Sequence, residues 1–137
     1  MDKFILVNGQ FKPSSGTELM DLSSSNEKYS WKPFCIEVMK LNPEAIIPTR
    51  AHPTDAGLDL YYCGESYHLS PGKTAILSTG VAVKIPDGYV GYVCSRSGLA
   101  AKNSIAVLNA PGVIDSSYRG EIKVILTNHS ESHGLPF

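Results

Sequence analysis

The feature that most constrains the fold is a series of short alternating segments separated by turns that contain glycine or proline. Candidate strands cover residues 35–41, 58–62, 74–78, 80–85, 89–94, 105–108 and 120–127. In the last of these, Ile122, Val124 and Leu126 share one face. No window has a sustained apolar period of about 3.6 residues, and only residues 97–102 could form a short helix. The pattern predicts an all-β antiparallel barrel or jelly roll.

Chain length and charge limit the number of domains and the class of partner. The chain has 137 residues, of which 42% are hydrophobic, and this suits one domain with a real core. The formal net charge of −1 favours neither nucleic acid nor a membrane surface, and every apolar run is far shorter than the ~20 residues of a membrane span. We expect neither partner.

Residues 1–33 differ in composition from the rest of the chain. They contain a Pro-Ser-Ser-Gly run at 13–16 and a serine-rich polar run at 23–28. We interpret them as a weakly ordered N-terminal extension, within which residues 1–7 could add a strand. Residues 34–137 are then the barrel domain.

The cysteines and histidines suggest a compartment but no metal centre. The three cysteines form no CxxC pair, and the four histidines form no HExxH motif. We therefore expect reduced thiols, cytoplasmic location and no protein-ligated zinc. A nuclear location or the cytosol of a virus-infected host is also compatible.

Two clusters have the composition of a metal and phosphate site. Residues 53–60 place Gly57 between Asp55 and Asp59, and such carboxylates suit a Mg²⁺–phosphate ligand. A turn with two exposed carboxylates explains the same residues. In residues 94–100, Arg96 offers planar charged donors and Gly98 allows its amide to approach an anion. A helix start capped by serine remains the alternative.

A third cluster lies within residues 109–122, which have the pattern of a β-hairpin. Asp115, Tyr118 and Arg119 stand within five positions at its turn. An acid can hold a water, a phenol ring can stack on a sugar or base, and exposed backbone can read a base edge. A surface turn whose polar side chains are only solvated is the alternative.

Together the three clusters resemble the trimeric dUTP pyrophosphatase (dUTPase) family. The resemblance runs from about residue 36 to residue 128, and its motifs are DAGLDL at 55–60, SRSGLA at 95–100 and GVIDSSYRG at 112–120. The family's turn before the second motif is similar to PDGYVG at 86–91. Each motif alone is modest, but three in register are specific.

The resemblance implies a distorted jelly-roll β-barrel of the dUTPase-like type, assembled as a homotrimer with active sites shared between subunits. It also implies hydrolysis of dUTP to dUMP and pyrophosphate with Mg²⁺ as cofactor. This reaction limits uracil incorporation into DNA and supplies dUMP for dTMP synthesis.

The resemblance also implies roles for individual residues. Asp115 would hold the attacking water, and Tyr118 would pack on the deoxyribose and exclude a 2′-hydroxyl. Asp59 would reach Mg²⁺ through water. The remaining substrate-binding residues would be Asn109, Gly112, Val113 and Ile114 for uracil, and Arg96, Ser97 and Gly98 for the phosphates.

The family pattern has two further motifs that residues 1–137 do not contain. One is a strand with an Arg and a Gln near the phosphates, and the other is a Gly-rich C-terminal arm that closes over the nucleotide. We therefore expect the domain at 34–137 to lack its C-terminal strands and arm. We also expect residues 1–137 alone to hydrolyse little or no dUTP.

Two other functions fit parts of the same pattern. The absent motifs favour a non-catalytic dUTP-binding or protein-interaction module, whereas the retained Asp115 favours an enzyme. A dCTP deaminase of the same fold would need a catalytic Glu at the position of Ile125. An apolar Ile cannot transfer a proton, which disfavours deamination.

Overall fold

A computed structural model describes residues 3–10 and 36–137 of the chain, with only the strand and its pairing described for residues 3–10. The described strands are β1 Lys3–Gln10, β2 Glu37–Lys40, β3 Gly57–Tyr61, β4 His68–Leu69, β5 Thr74–Ser78, β6 Val81–Lys84, β7 Tyr89–Cys94, β8 Ile105–Val107, β9 Gly112–Ile114, β10 Lys123–Asn128 and β11 Leu135–Pro136. The helix among them is α1, Ser97–Asn103. No helix within these residues is long and apolar enough to cross a membrane.

The strands form a four-stranded sheet, a three-stranded sheet and two two-stranded sheets, and every described pairing is antiparallel. The strand orders are β3-β1-β7-β9, β5-β10-β8, β11-β4 and β2-β6. The Lys84 ammonium donates to Glu37 across the β2–β6 pair at 2.6 Å, and this contact lowers the pKa of the Glu37 carboxyl. The all-β prediction is confirmed.

The predicted alternation fills one hydrophobic core. Ile122, Val124 and Leu126 are each no more than 1% exposed, whereas Lys123 between them is exposed. The core also contains buried residues from several other strands: Leu60, Leu69, Leu77, Val81, Val83, Val93, Ile105 and Val107. Burial of apolar surface stabilises the fold at roughly 25 cal/mol per Å². This core fixes the loops that carry the three motifs.

Strand β1 belongs to the four-stranded sheet and lies in the part of the predicted extension where the sequence left a strand open. It lies between β3 and β7, and Ile5 is opposite Asp59 on one side and Cys94 on the other. The composition of residues 1–33 predicted weak order, but an apolar strand can complete two open sheet edges. The rest of the predicted extension, residues 1–2 and 11–33, lies outside the described residues and stays a prediction.

Substituting Ile5 by proline tests the central place of β1. In a central strand every N–H faces one neighbour or the other, and proline has none to donate. We expect Ile5→Pro to lower the free energy of unfolding by about 1–3 kcal/mol, measured by urea denaturation. The control Ile5→Val keeps the N–H. An unchanged midpoint for Ile5→Pro would remove β1 from the folded sheet.

The stretch at 109–122 is not a simple hairpin, which corrects the sequence interpretation. Its first arm, β9, pairs with β7, whereas the strand that follows its turn, β10, pairs with β5 and β8. The turn itself is present, because the Tyr118 amide donates to the Asp115 carbonyl at 3.0 Å. Local alternation cannot distinguish two arms in different sheets from two arms that pair with each other.

Candidate functional site

The first and second motifs meet at one cavity, which we call the Arg96 cavity. It has a volume of about 370 Å³. Its lining residues are Ala51, His52, Asp55, Ala56, Gly57, Asp59, Arg96, Ser97 and Gly98. The structure therefore brings together the residues predicted for metal and phosphate binding.

A contact between Asp59 and Arg96 holds the centre of this cavity. Arg96 Nε lies 3.6 Å from Asp59 Oδ1, and the Asp59 side chain is only 8% exposed. The Asp59 amide also donates to the Thr49 carbonyl at 2.7 Å, which fixes β3 at this point. Because 37% of the Arg96 side chain is exposed, its guanidinium can still meet an anion in the cavity.

The two serines beside Arg96 have different environments. The Ser95 hydroxyl accepts a hydrogen bond from the Val107 amide at 2.8 Å and so ties the end of β7 to β8. Ser97 and Gly98, the first residues of α1, are exposed. Ser95 is thus a structural residue, and Ser97 and Gly98 are open to a ligand.

A tight turn shapes the other wall of the Arg96 cavity. The Asp55 carboxylate accepts from the His52 amide at 2.8 Å and lies 3.3 Å from His52 Nδ1. Arg50 Nε donates to the Asp55 carbonyl at 2.7 Å. These contacts use part of the Asp55 carboxylate to close the turn, but Asp59 is buried, so the alternative of a turn with two exposed carboxylates does not describe this cluster.

The third motif lines a separate cavity of about 530 Å³, which we call the Asp115 cavity. Its lining residues are Ile76, Val113, Ile114, Asp115, Tyr118, Glu121, Lys123 and Ile125. The Asp115 side chain belongs to an exposed residue of the turn. A solvated carboxylate above apolar walls can orient a water next to a bound ligand.

The Tyr118 ring is folded back over its own loop. Its hydroxyl donates to the Glu121 carbonyl at 2.9 Å, and a Cβ at Gly120 would lie 2.6 Å from that hydroxyl. Arg119 Nη1 donates to the Ser116 carbonyl at 2.5 Å and to the Tyr118 carbonyl at 2.9 Å. These bonds hold the ring at the edge of the Asp115 cavity.

Asn109 and Gly112 do not line the Asp115 cavity. Asn109 is exposed, and a Cβ at Gly112 would lie 3.3 Å from Asn109 Nδ2 and 3.4 Å from Val93 Cβ. Gly112 is therefore a position of close packing between β9 and the Asn109 loop. The predicted role of these two residues in reading a base stays a prediction.

The Asp115 and Arg96 cavities share no lining residue. Because β7 and β9 are antiparallel with Gly91 opposite Ile114, Asp115 lies near the start of β7, whereas Arg96 follows its end. The six residue-to-residue steps of extended chain from Val90 to Arg96 would span about 20 Å. Within a single chain, the Asp115 cavity and the Arg96 cavity, which are the two halves of the predicted site, therefore lie apart.

The dUTPase family model matches residues 43–133, a span that contains all three motifs. The chain belongs to the dUTPase family. Its fold is accordingly the jelly-roll barrel of that family, as the sequence predicted.

Curated dUTPase relatives are close in sequence. The chain is 49% identical over 105 residues to the deoxyuridine 5′-triphosphate nucleotidohydrolase of Streptomyces griseus, covering 77% of this chain and 59% of that protein. It is 51% identical over 94 residues to the enzyme of the same name from Nocardia farcinica, covering 69% and 56%. The chain thus spans less than two thirds of the length of these relatives.

Solved dUTPase structures match the same barrel. The dUTPase of Staphylococcus bacteriophage 80alpha with dUPNHPP has a TM-score of 0.65 and 38% identity, covering 71% of this chain and 56% of that one. A mutant dUTPase from phage phi11 of S. aureus, described with a structural Mg(II) ion, has a TM-score of 0.64 and 37% identity, covering 71% and 61%.

Sequence reasoning missed several residues of both cavities. His52 closes the turn at the Arg96 cavity, and Glu121 and Lys123 line the Asp115 cavity with an ion contact of 3.6 Å between them. Ile76 reaches the same cavity from β5, which is distant in sequence. Among these missed residues, only Glu121 could have been found from the sequence, because it directly follows the third motif.

Proposed function

We propose that the protein hydrolyses dUTP to dUMP and pyrophosphate. The observation that carries the proposal is the Asp115 cavity, where an exposed carboxylate and the Tyr118 ring stand together in a chain of the dUTPase family. The ring would pack on the deoxyribose, and the β9 backbone would read uracil. A site that recognises uracil by its hydrogen-bond polarity can reject cytosine by roughly 10⁴-fold.

Asp115 would orient the water that attacks the α-phosphorus. The water oxygen forms the new P–O bond while the bond between the α-phosphorus and the bridging oxygen of pyrophosphate breaks. Asp115 accepts a hydrogen bond from the water and, as the new bond forms, its proton. Orienting the water is itself a large effect, so no unusual pKa is required.

The Arg96 cavity would bind the triphosphate. The Arg96 guanidinium, the Ser97 hydroxyl and the Gly98 amide can stabilise the charge that builds on the phosphate oxygens. Asp59 and Asp55 supply the hard oxygen donors that fit Mg²⁺. No three Asp, Glu, His or Cys side chains of residues 36–137 converge to ligate a metal. As the family resemblance implies, Asp59 would hold Mg²⁺ through water. When bound, Mg²⁺ would neutralise phosphate charge.

The separation of the two cavities supports active sites shared between copies of the chain, and the homotrimer that we propose follows from the family resemblance. Since Asp115 and Arg96 lie at opposite ends of the β7–β9 pair, a nucleotide held by one chain's Asp115 cavity would need the Arg96 cavity of another copy.

Reduced thiols fit the cytoplasmic location that we propose, and Cys63 and Cys94 are both free.

Binding and product analysis together test the proposed function. We expect the purified protein with Mg²⁺ to bind a non-hydrolysable dUTP analogue in preference to UTP, dCTP and dTTP. We further expect it to release dUMP and pyrophosphate from dUTP, assayed at high protein concentration to detect slow turnover. Because residues 1–137 alone are expected to hydrolyse little or no dUTP, only binding without any product in the complete protein would establish the non-catalytic module instead. No preference for dUTP would overturn the proposal.

Deamination of dCTP is not proposed. Ile125, at the position of the deaminase Glu, lines the Asp115 cavity with an apolar side chain. Release of ammonia from dCTP would contradict this reading.

Substituting Gly120 by alanine isolates the contribution of the Tyr118 ring. The added Cβ would lie 2.6 Å from the Tyr118 hydroxyl, the mobile end of the side chain, so the ring must move while the backbone can stay. We expect little change in Tm but a KM for dUTP raised by roughly tenfold, measured by steady-state kinetics. An unchanged KM would mean that the ring does not contact the nucleotide.

A further inference from the structure

The segment that follows the third motif is fixed by three hydrogen bonds to the turn between β5 and β6 and to the first residue of β6. The Gly80 amide donates to Glu121 Oε1 at 2.9 Å, the Thr79 hydroxyl donates to the Ile122 carbonyl at 2.6 Å, and the Ile122 amide donates to the Val81 carbonyl at 2.9 Å. Thr79 and Ile122 are fully buried. This junction is therefore a rigid base for the loop before it.

Glu121 connects this junction to the Asp115 cavity. Its Oε1 accepts from the Gly80 amide, and its backbone carbonyl accepts from the Tyr118 hydroxyl at 2.9 Å. The side chain is only 22% exposed, and its Oε2 lies 3.6 Å from Lys123 Nζ. The Glu121 carbonyl thus holds the Tyr118 phenol, while the Glu121 side chain is itself held by the Gly80 amide.

The Gly80 donor has little freedom to move. Gly80 has a φ of 67°, a conformation that favours glycine, and a Cβ there would lie 2.8 Å from Ala45 Cβ and 3.0 Å from Cys63 Sγ. The backbone at this turn is consequently packed against its neighbours. A carboxylate held by this amide keeps a defined position.

We propose that Glu121 is a positioning residue that sets the place of the Tyr118 ring and, through it, selectivity for deoxyribose over ribose. The proposal rests on the proposed function, in which Tyr118 packs on the sugar. Glu121 acts through two bonds: its side chain is fixed by Gly80, and its carbonyl then fixes the phenol. Without the first bond, the second acceptor would shift and the ring would lose its place.

Two substitutions of Glu121 separate this role from charge. Glu121→Gln keeps an oxygen that can accept from Gly80, whereas Glu121→Ala removes it. We expect Glu121→Ala to raise the KM for dUTP by about five- to tenfold and to reduce discrimination against UTP by a similar factor, with a smaller change in kcat. Glu121→Gln should restore both values to near wild type.

A stability control and a double-mutant cycle complete the kinetic test. Leu69→Ala, a buried change in β4 outside both cavities, should lower Tm without altering the ratio of dUTP to UTP activity. If Glu121 acts through the phenol, its effect should shrink in a Tyr118→Phe background. Additive effects, or equal losses in Leu69→Ala, would overturn the proposal.

NMR of the ¹³C-tyrosine-labelled protein tests positioning without substrate. The Tyr118 ring signal is identified by its loss in Tyr118→Phe, and we expect it to move in Glu121→Ala but not in Glu121→Gln. An unmoved signal would overturn the positioning role even if dUTP is hydrolysed. Conversely, a moved signal in a protein that does not bind dUTP would count against the proposed function and not against this contact.

Discussion

Replacing Asp115 by asparagine is expected to lower kcat for dUTP by about 10²–10⁴-fold with little change in KM. Asparagine has nearly the same shape, but its neutral amide is a weaker acceptor for the proton of the attacking water. The turn should persist, because the Asp115 group that holds it is the backbone carbonyl that accepts from the Tyr118 amide. Single-turnover and steady-state assays of dUMP release by the complete protein measure the effect, since residues 1–137 alone are expected to hydrolyse little or no dUTP.

Asp87→Asn is the matched control for this substitution. It also neutralises an exposed carboxylate in a turn, but Asp87 lies before β7 and outside both cavities. We expect its kcat to equal that of the wild type. Equal turnover in Asp115→Asn would remove Asp115 from catalysis, and an equal loss in both variants would point to a general effect of charge.

The strands were predictable wherever one face is buried and the other is solvated. The alternation at 74–78 matches β5, and the buried Val124 and Leu126 identify the inner face of β10, with buried Ile122 directly before it. Successive side chains of a strand point to opposite faces, so a strand with one buried face shows alternating apolar and polar residues in its sequence. The short helix expected at 97–102 is also confirmed as α1.

Strand pairing was less predictable, because it depends on residues far apart in sequence. Nothing in residues 3–10 indicates that they join β3 to β7, and nothing in residues 109–122 indicates that β9 and β10 enter different sheets. The register between two strands is set jointly by which face is buried and by the geometry of the connecting turns. The sequence of a single strand indicates its buried face but not the turn geometry.

The candidate site was predictable as far as its motifs are local. Arg96, Ser97 and Gly98 line one cavity with Asp59, because the motif at 95–100 follows β7 directly and Asp59 lies within β3. Glu121 was missed because its role depends on the Gly80 amide, 41 positions away. The division of the site into two cavities likewise depends on the β7–β9 register.

Substituting Arg96 by alanine should lower kcat/KM for dUTP by about 10²–10³-fold, the range found when a donor that stabilises developing charge is removed. Arg96→Lys should recover only part of the loss, because an ammonium keeps the charge without the planar donor geometry. Both variants are measured by pyrophosphate release and by binding of inorganic triphosphate, which reports on the Arg96 cavity without the uracil side.

The same substitution should also have a structural effect that separates two roles of Arg96. Asp59 is 8% exposed and loses a cationic neighbour at 3.6 Å, so Arg96→Ala should destabilise the fold by about 1 kcal/mol, a small value because Arg96 is itself 37% exposed. Lys102→Ala, which removes a cation near the other end of α1, should change neither property. A loss of stability with unchanged triphosphate binding would make Arg96 a structural partner of Asp59 and move phosphate recognition to the exposed Ser97 and Gly98.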